Sequence, residues 1–118
     1  MAQAEVDEDV NGDDPTVIRL QEKVAGLLGM EAGLLVPSGT MSNAVAVRTH
    51  TQPGDEIIAE EHSHLYVYEG GGYAALSGCS IALVPSEHGI VAPVDVRNRI
   101  RKAEGSRSHY PNASLICI

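Results

Sequence analysis

The sequence predicts an α/β fold, a mostly parallel sheet covered by helices, and three observations carry that prediction. Short apolar segments at residues 32–36, 56–60, 79–84 and 114–118 alternate with longer stretches of helical spacing. Those short segments are solidly apolar inside, as in strands buried on both faces, and lack the alternation of a half-exposed sheet. Gly, Pro, Asn and Asp punctuate the joins, and strands separated by helical stretches are the pattern of parallel β-α-β units.

Taken in order, residues 1–14 are acidic and small and end in Asn11-Gly12-Asp13-Asp14 before Pro15. Asp followed by Pro starts a helix well, because the carboxylate caps free N–H groups and proline fits the first turn. Val17, Leu20, Val24, Leu27 and Leu28 then recur at helical spacing, and Gly29 is placed to end the helix. Residues 32–36 read as a first buried strand, broken by Pro37-Ser38-Gly39. Residues 40–50 return to a helical pattern, and Gln52-Pro53-Gly54-Asp55 reads as a turn. Residues 56–60 form the second strand and lead into a polar stretch with His62 and His64. A helix is expected from about Glu69 to residue 77, although Gly70-Gly71-Gly72 weakens it, since each helical glycine costs up to about 1 kcal/mol. Residues 79–84 are a third strand. Pro93 opens a helix with Val96 and Ile100 on one face and Arg97, Asn98, Arg101 and Lys102 on the other. Residues 114–118 make the last strand, whose sheet neighbours would be expected to include further sequence.

Composition narrows the function classes. The 118 residues suit one small domain, and with no Phe or Trp the core must be built from Ala, Val, Leu and Ile. A net charge of −8 argues against nucleic acid or an anionic membrane as partner, since both are held by Lys/Arg clusters. The acidity fits either plain solubility or a high-salt proteome. Cys79 and Cys117 sit in apolar runs and read as reduced buried thiols, and without CxxC spacing structural zinc is not expected. No apolar run reaches the roughly 18 residues of a membrane span and no signal peptide opens the chain, so a cytoplasmic protein is expected.

Four segments could carry chemistry. Pro37-Ser38-Gly39-Thr40 leads into a helix, where free N–H groups and the positive dipole end make a seat for phosphate. Ser38 and Thr40 add hydroxyls and Gly39 permits close approach, but a plain helix-capping turn has the same sequence, and neither P-loop nor GxGxxG spacing is present. Glu60-Glu61-His62-Ser63-His64 follows the second strand, at the carboxyl edge where open parallel sheets bind ligands. A cofactor role, exposed histidines and a metal-binding His-x-His pair are all compatible with it, metal being the least favoured. Glu69 is either a solvated carboxylate or a buried one that fixes a histidine tautomer. His109, before Pro111, reads by itself as a loop histidine.

Together these segments resemble the threonine aldolases of the β-eliminating lyase family. Gly12-Asp13-Asp14-Pro15-Thr16-Val17, Pro37-Ser38-Gly39-Thr40-Met41-Ser42-Asn43, and Glu61-His62-Ser63-His64 with Tyr68-Glu69-Gly70-Gly71 carry the resemblance, which runs the whole length of the chain. It implies part of the large domain of the pyridoxal-phosphate type I, aspartate aminotransferase-like fold, over residues 1–118. It also implies a homodimer or homotetramer and an amino-acid substrate, with no nucleic acid or membrane partner. On the family pattern Gly39 and Thr40 hold the phosphate of pyridoxal 5'-phosphate, with Ser38 beside them, and His64 stacks on the ring. Glu69 lies close to the same site, and His109 is a second active-site histidine near the substrate β-hydroxyl. The implied reaction is retro-aldol cleavage of L-threonine or L-allo-threonine to glycine and acetaldehyde, with a water held by the two histidines as base.

The sequence departs from the family in ways that qualify this. The family's N-terminal Arg-Ser-Asp-Thr segment is not among these residues. Nor are the lysine that carries the cofactor and the aspartate that pairs with its ring nitrogen. The two lysines present, Lys23 and Lys102, fall on expected exposed helix faces. Asn11 replaces a usual tyrosine and Asn112 a common arginine. The chain alone is therefore expected to be an incomplete domain, inactive by itself. The alternatives are a non-catalytic remnant that binds phosphate, cofactor or a full-length paralogue, and a related lyase acting on another β-hydroxy amino acid.

Overall fold

The computed structural model of the protein describes residues 3–101 and 109–118, which fall into two compact units, one ending at Pro37 and the other spanning Ser38–Ile118. In the first unit a short 3-10 turn at Asp9–Asn11 precedes helix α1, Pro15–Leu28. Asp14 caps α1 as expected. One carboxylate oxygen accepts from the Thr16 and Val17 N–H groups at 2.8 and 2.9 Å, and the other from the Asp7 N–H at 3.1 Å. The hydrogen bond from Val17, then that from Asp7, hold the Asp14 carboxyl below the usual carboxylate range, against the opposing effect of burial. Gly29, in the left-handed region at φ 65°, ends α1.

The strand expected at residues 32–36 does not form. A strand exists only where its backbone has a partner strand, and this segment has none among the described residues of its unit. It is tied to α1 instead. The Leu35 N–H donates to the Gln21 side-chain oxygen at 2.8 Å. A Cβ at Gly33 would stand only 2.9 Å from the Gln21 carbonyl.

The second unit contains helix α2 (Gly39–His50), strand β1 (Glu56–Glu60), the one-turn helices α3 (His64–Val67) and α4 (Gly72–Ala75), strand β2 (Ser80–Val84), helix α5 (Pro93–Arg99) and strand β3 (Ala113–Cys117). The sheet order is β2-β1-β3 and both pairings are parallel. The predicted fold class is therefore observed, with three strands rather than four among the described residues. All five β1 residues are buried, because a strand lies on each side of it and helices cover it. Val47, Ile57, Ala59, Leu65 and Cys79 form the core, extended by Tyr73, Ile81, Leu115 and Cys117. The helix expected over residues 69–77 shrinks to α4, since Gly70 and Gly71 adopt φ 62° and 72°, which a right-handed helix does not allow. Lys102 lies outside the described residues.

Two buried glutamates mark the ends of β1. At the amino end, Glu56 forms an ion pair with Arg101 and lies 3.4 Å from the Ser80 hydroxyl. At the carboxyl end, Glu60 accepts the His62 N–H at 2.8 Å and the Ser86 hydroxyl at 2.9 Å, which fixes the loops after β1 and β2. Each charge is buried only with hydrogen-bond donors in place, as the cost of desolvation requires.

Two outcomes follow. Ile57→Ala, at a fully buried site, should lower unfolding stability by about 2–5 kcal/mol in denaturant titration. Because Asp14 titrates lower folded than unfolded, its contribution is present above its ordinary value of 3.8 and is lost as pH falls through the depressed folded value. The stability gap between wild type and Asp14→Ala should therefore be open at neutral pH and closed in strong acid.

Candidate active site

The carboxyl end of β1 gathers the candidate residues. After Glu60 the chain turns, and α3 begins at His64. Gly70 and Gly71, both at positive φ, then bend it so that Glu69 faces back. The His64 Nδ1 lies 2.7 Å from the Glu69 Oε1, with the Glu69 side chain 2% exposed and the His64 side chain 63% exposed. The His64 ring also sits 5.3 Å from the Tyr68 ring, tilted by 43°.

A third side chain joins this pair, one that sequence reading did not single out. The Asn43 amide donates to the same Glu69 oxygen at 2.6 Å. A carboxylate only accepts, so the contact assigns a proton to the His64 Nδ1, and in the neutral ring Nε2 is then the nitrogen with the lone pair. Cys117, on β3, feels the same group: burial first, and the Glu69 charge second, push its thiol up. Asn43 stands four residues after Gly39 on α2, so the helical period placed it near the turn already suspected. The signal was available in the quoted motif.

The Asn43 contact also shows which edge α2 points to. Its first turn lies beside Glu69, at the carboxyl edge of the sheet. Sequence reading put the Pro37-Ser38-Gly39-Thr40 turn there by following a first strand. That strand is absent, and the hydrogen bond from α2 does the placing. Ser38 caps α2 by accepting the Met41 N–H at 3.2 Å, which leaves its own hydroxyl proton free to donate. The Gly39 and Thr40 N–H groups open the helix and have no carbonyl a turn earlier to bind. A Cβ at Gly39 would meet nothing within 4 Å, so the space before the helix is open. Two N–H groups, two hydroxyls and a helix dipole fit a phosphate, and an exposed histidine held at Nδ1 fits the face of a heteroaromatic ring. Among the described residues of the second unit there is no lysine.

Within the described residues of one chain, His109 does not lie beside His64. β3 runs parallel to β1, so the segment before it reaches the amino edge, where the Glu56 N–H donates to the Asn112 carbonyl at 2.8 Å. The His109 ring packs 5.2 Å from Tyr110, whose ring lies 5.9 Å from the Arg101 guanidinium that pairs with Glu56. The length of β1, roughly 15 Å for five residues, separates that edge from His64. The His62-x-His64 pair does not converge either, since His64 turns to Glu69 while the His62 Nε2 lies 3.9 Å from Glu61. Glu60, Glu61 and His62 bring potential ligand atoms within 4.8 Å of one another, but both Glu60 oxygens are already engaged.

The family described as "Beta-eliminating lyase" matches residues 1–118. The chain is 46% identical over 118 residues to a low specificity L-threonine aldolase of Escherichia coli (strain K12), covering 100% of this chain and 35% of that one. It is 42% identical over 120 residues to low-specificity L-threonine aldolase 1 of Arabidopsis thaliana, again covering 100% of this chain and 33% of that one. The chain thus spans about a third of the length of these relatives. A solved structure from Exiguobacterium sp. 255-15, named "Putative aromatic amino acid beta-eliminating lyase/threonine aldolase", shares the fold. Its TM-score is 0.68 at 22% identity, covering 96% of this chain and 30% of that one.

If Ser38 is the cap of α2, Ser38→Ala should cost about 0.5–2 kcal/mol in thermal or denaturant unfolding, and Ser38→Asp should recover most of it.

Proposed function

The chain belongs to the beta-eliminating lyase family, and we propose that it supplies the phosphate seat and the ring-facing histidine of a pyridoxal-phosphate-dependent threonine aldolase. The observation that carries this reading is the contact of His64 and Asn43 with one Glu69 oxygen, beside the open start of α2. The substrate would be L-threonine or L-allo-threonine, cleaved to glycine and acetaldehyde, in a cytoplasmic enzyme that assembles as a homodimer or homotetramer. Among the described residues no helix is long and apolar enough to cross a membrane.

Each residue has a task that its geometry suits. The N–H groups of Gly39 and Thr40, the Thr40 hydroxyl and the free Ser38 proton would hold the phosphate, with the α2 dipole favouring its charge. His64 would lie against the ring, oriented by Glu69, and would present Nε2 toward the substrate side. Glu69 keeps the proton on Nδ1, so that Nε2 accepts rather than donates. Pyridoxal phosphate, when bound, supplies the electron-withdrawing ring that stabilises the negative charge left when Cα–Cβ breaks. His64 would be the histidine that takes a proton there, alone or with His109. The names of the relatives, low-specificity L-threonine aldolases, support threonine as a substrate.

A second reading is cofactor or phosphate binding without turnover, favoured by the second unit having no lysine among its described residues. Threonine cleavage restored when this chain is combined with the remaining two thirds of a relative would favour the first reading, and cofactor retention without cleavage the second.

In the full chain, Thr40→Ala and His64→Ala should each weaken pyridoxal phosphate retention at least ~10-fold, equivalent to ~1.4 kcal/mol, by equilibrium dialysis. Unchanged retention in both would sink the assignment.

A further inference from the structure

We propose that Asn43 is a positioning residue for His64, acting through the Glu69 carboxylate that both side chains touch. The inference rests on the site reading above but goes beyond it, because it concerns what holds the histidine rather than what the histidine meets.

The geometry is specific. Asn43 Nδ2 and His64 Nδ1 reach the same oxygen, Glu69 Oε1, at 2.6 and 2.7 Å. The Glu69 side chain is almost wholly buried while the His64 side chain is mostly exposed. A buried carboxylate keeps its charge only while donors satisfy it. Asn43 is the one donor to it that comes from outside the α3–α4 segment among the described contacts, and α2, which carries it, is twelve residues long and capped. His64 opens a helix of only four residues and follows an exposed turn. The anchor for the histidine is therefore the long helix, reached through Glu69. Among the described residues the groups facing this carboxylate are His64 from α3, Asn43 from α2 and the Cys117 thiol from β3, and none of these replaces Asn43 as a donor from α2.

The consequence is a fixed tautomer. With Asn43 in place, Glu69 accepts from Nδ1–H and leaves Nε2 unprotonated. Without it the carboxylate has two ways to respond, and both act in one direction. Glu69 can take up a proton and donate it to Nδ1, or swing to solvent and release the ring. Either moves the neutral imidazole toward the Nε2–H form. The same helix would thus hold both the phosphate seat and the anchor of the ring histidine.

The test is the 15N spectrum of the His64 ring in the full chain without cofactor, at about pH 9, above the ordinary histidine range near 6.5. Wild type should show the Nδ1–H tautomer. Asn43→Leu, close in shape but without a donor, and Asn43→Ala should both shift the pattern toward Nε2–H, with the far-ultraviolet circular dichroism unchanged. Glu69→Ala, which removes the acceptor, gives the reference for a broken contact. A folded Asn43→Leu or Asn43→Ala chain that retains the wild-type Nδ1–H pattern overturns the proposal. Loss of folding in both also overturns it, because Asn43 would then be structural. The readout needs no cofactor, so a wild-type chain that failed to bind pyridoxal phosphate would refute the proposed function and leave this result standing.

Discussion

The two-sided parallel pairing of β1 is the constraint on which the second unit depends. With β2 on one side and β3 on the other, every β1 residue is buried, including a glutamate at each end. Parallel pairing also forces each connection to carry the chain back from one edge of the sheet to the other. The two edges therefore collect different residues. Residues after β1 reach the carboxyl edge, and residues before β3 reach the amino edge. That division separates His64 from His109 more firmly than any property of the histidines themselves.

Both edges are organised by buried carboxylates. Glu56 ties Arg101 to the amino edge, and Arg101 in turn carries Tyr110 and His109 with it. Glu60 fixes the backbone after β1 and reaches the loop after β2 through Ser86. Glu69 then links α2 to α3. A buried carboxylate demands donors, so each one draws together segments that no apolar contact would place so closely. The candidate site is thus a by-product of satisfying charge next to a saturated strand, and it leaves one histidine nitrogen and a helix start without partners of their own.

Much of this was legible in the sequence. The Asp14-Pro15 start and Gly29 end of α1 were readable because capping is local chemistry, and residues 56–60 and 79–84 because parallel strands are solidly apolar. Residues 32–36 misled because an apolar run has the same composition whether a sheet partner exists or not. The helix expected over 69–77 failed because glycines at positive φ outweighed the alanines around them. In the site, Glu69 was suspected of holding a histidine, and the distance to His64 agrees with that geometry. Asn43 was quoted but passed over, since an amide has no reactivity of its own to draw notice. His109 was suggested by similarity to a family pattern alone, and such a one-dimensional match does not report the sheet edge on which a residue falls.

The central claim is that the start of α2 and His64 form one ligand site at the carboxyl edge of the sheet. The most direct measurement is a crystal structure of the full chain grown with pyridoxal phosphate. The account predicts the phosphate against the Gly39 and Thr40 N–H groups, the ring against His64, and Glu69 still bonded to Nδ1. Phosphate bound elsewhere, or a ring that does not contact His64, would contradict it.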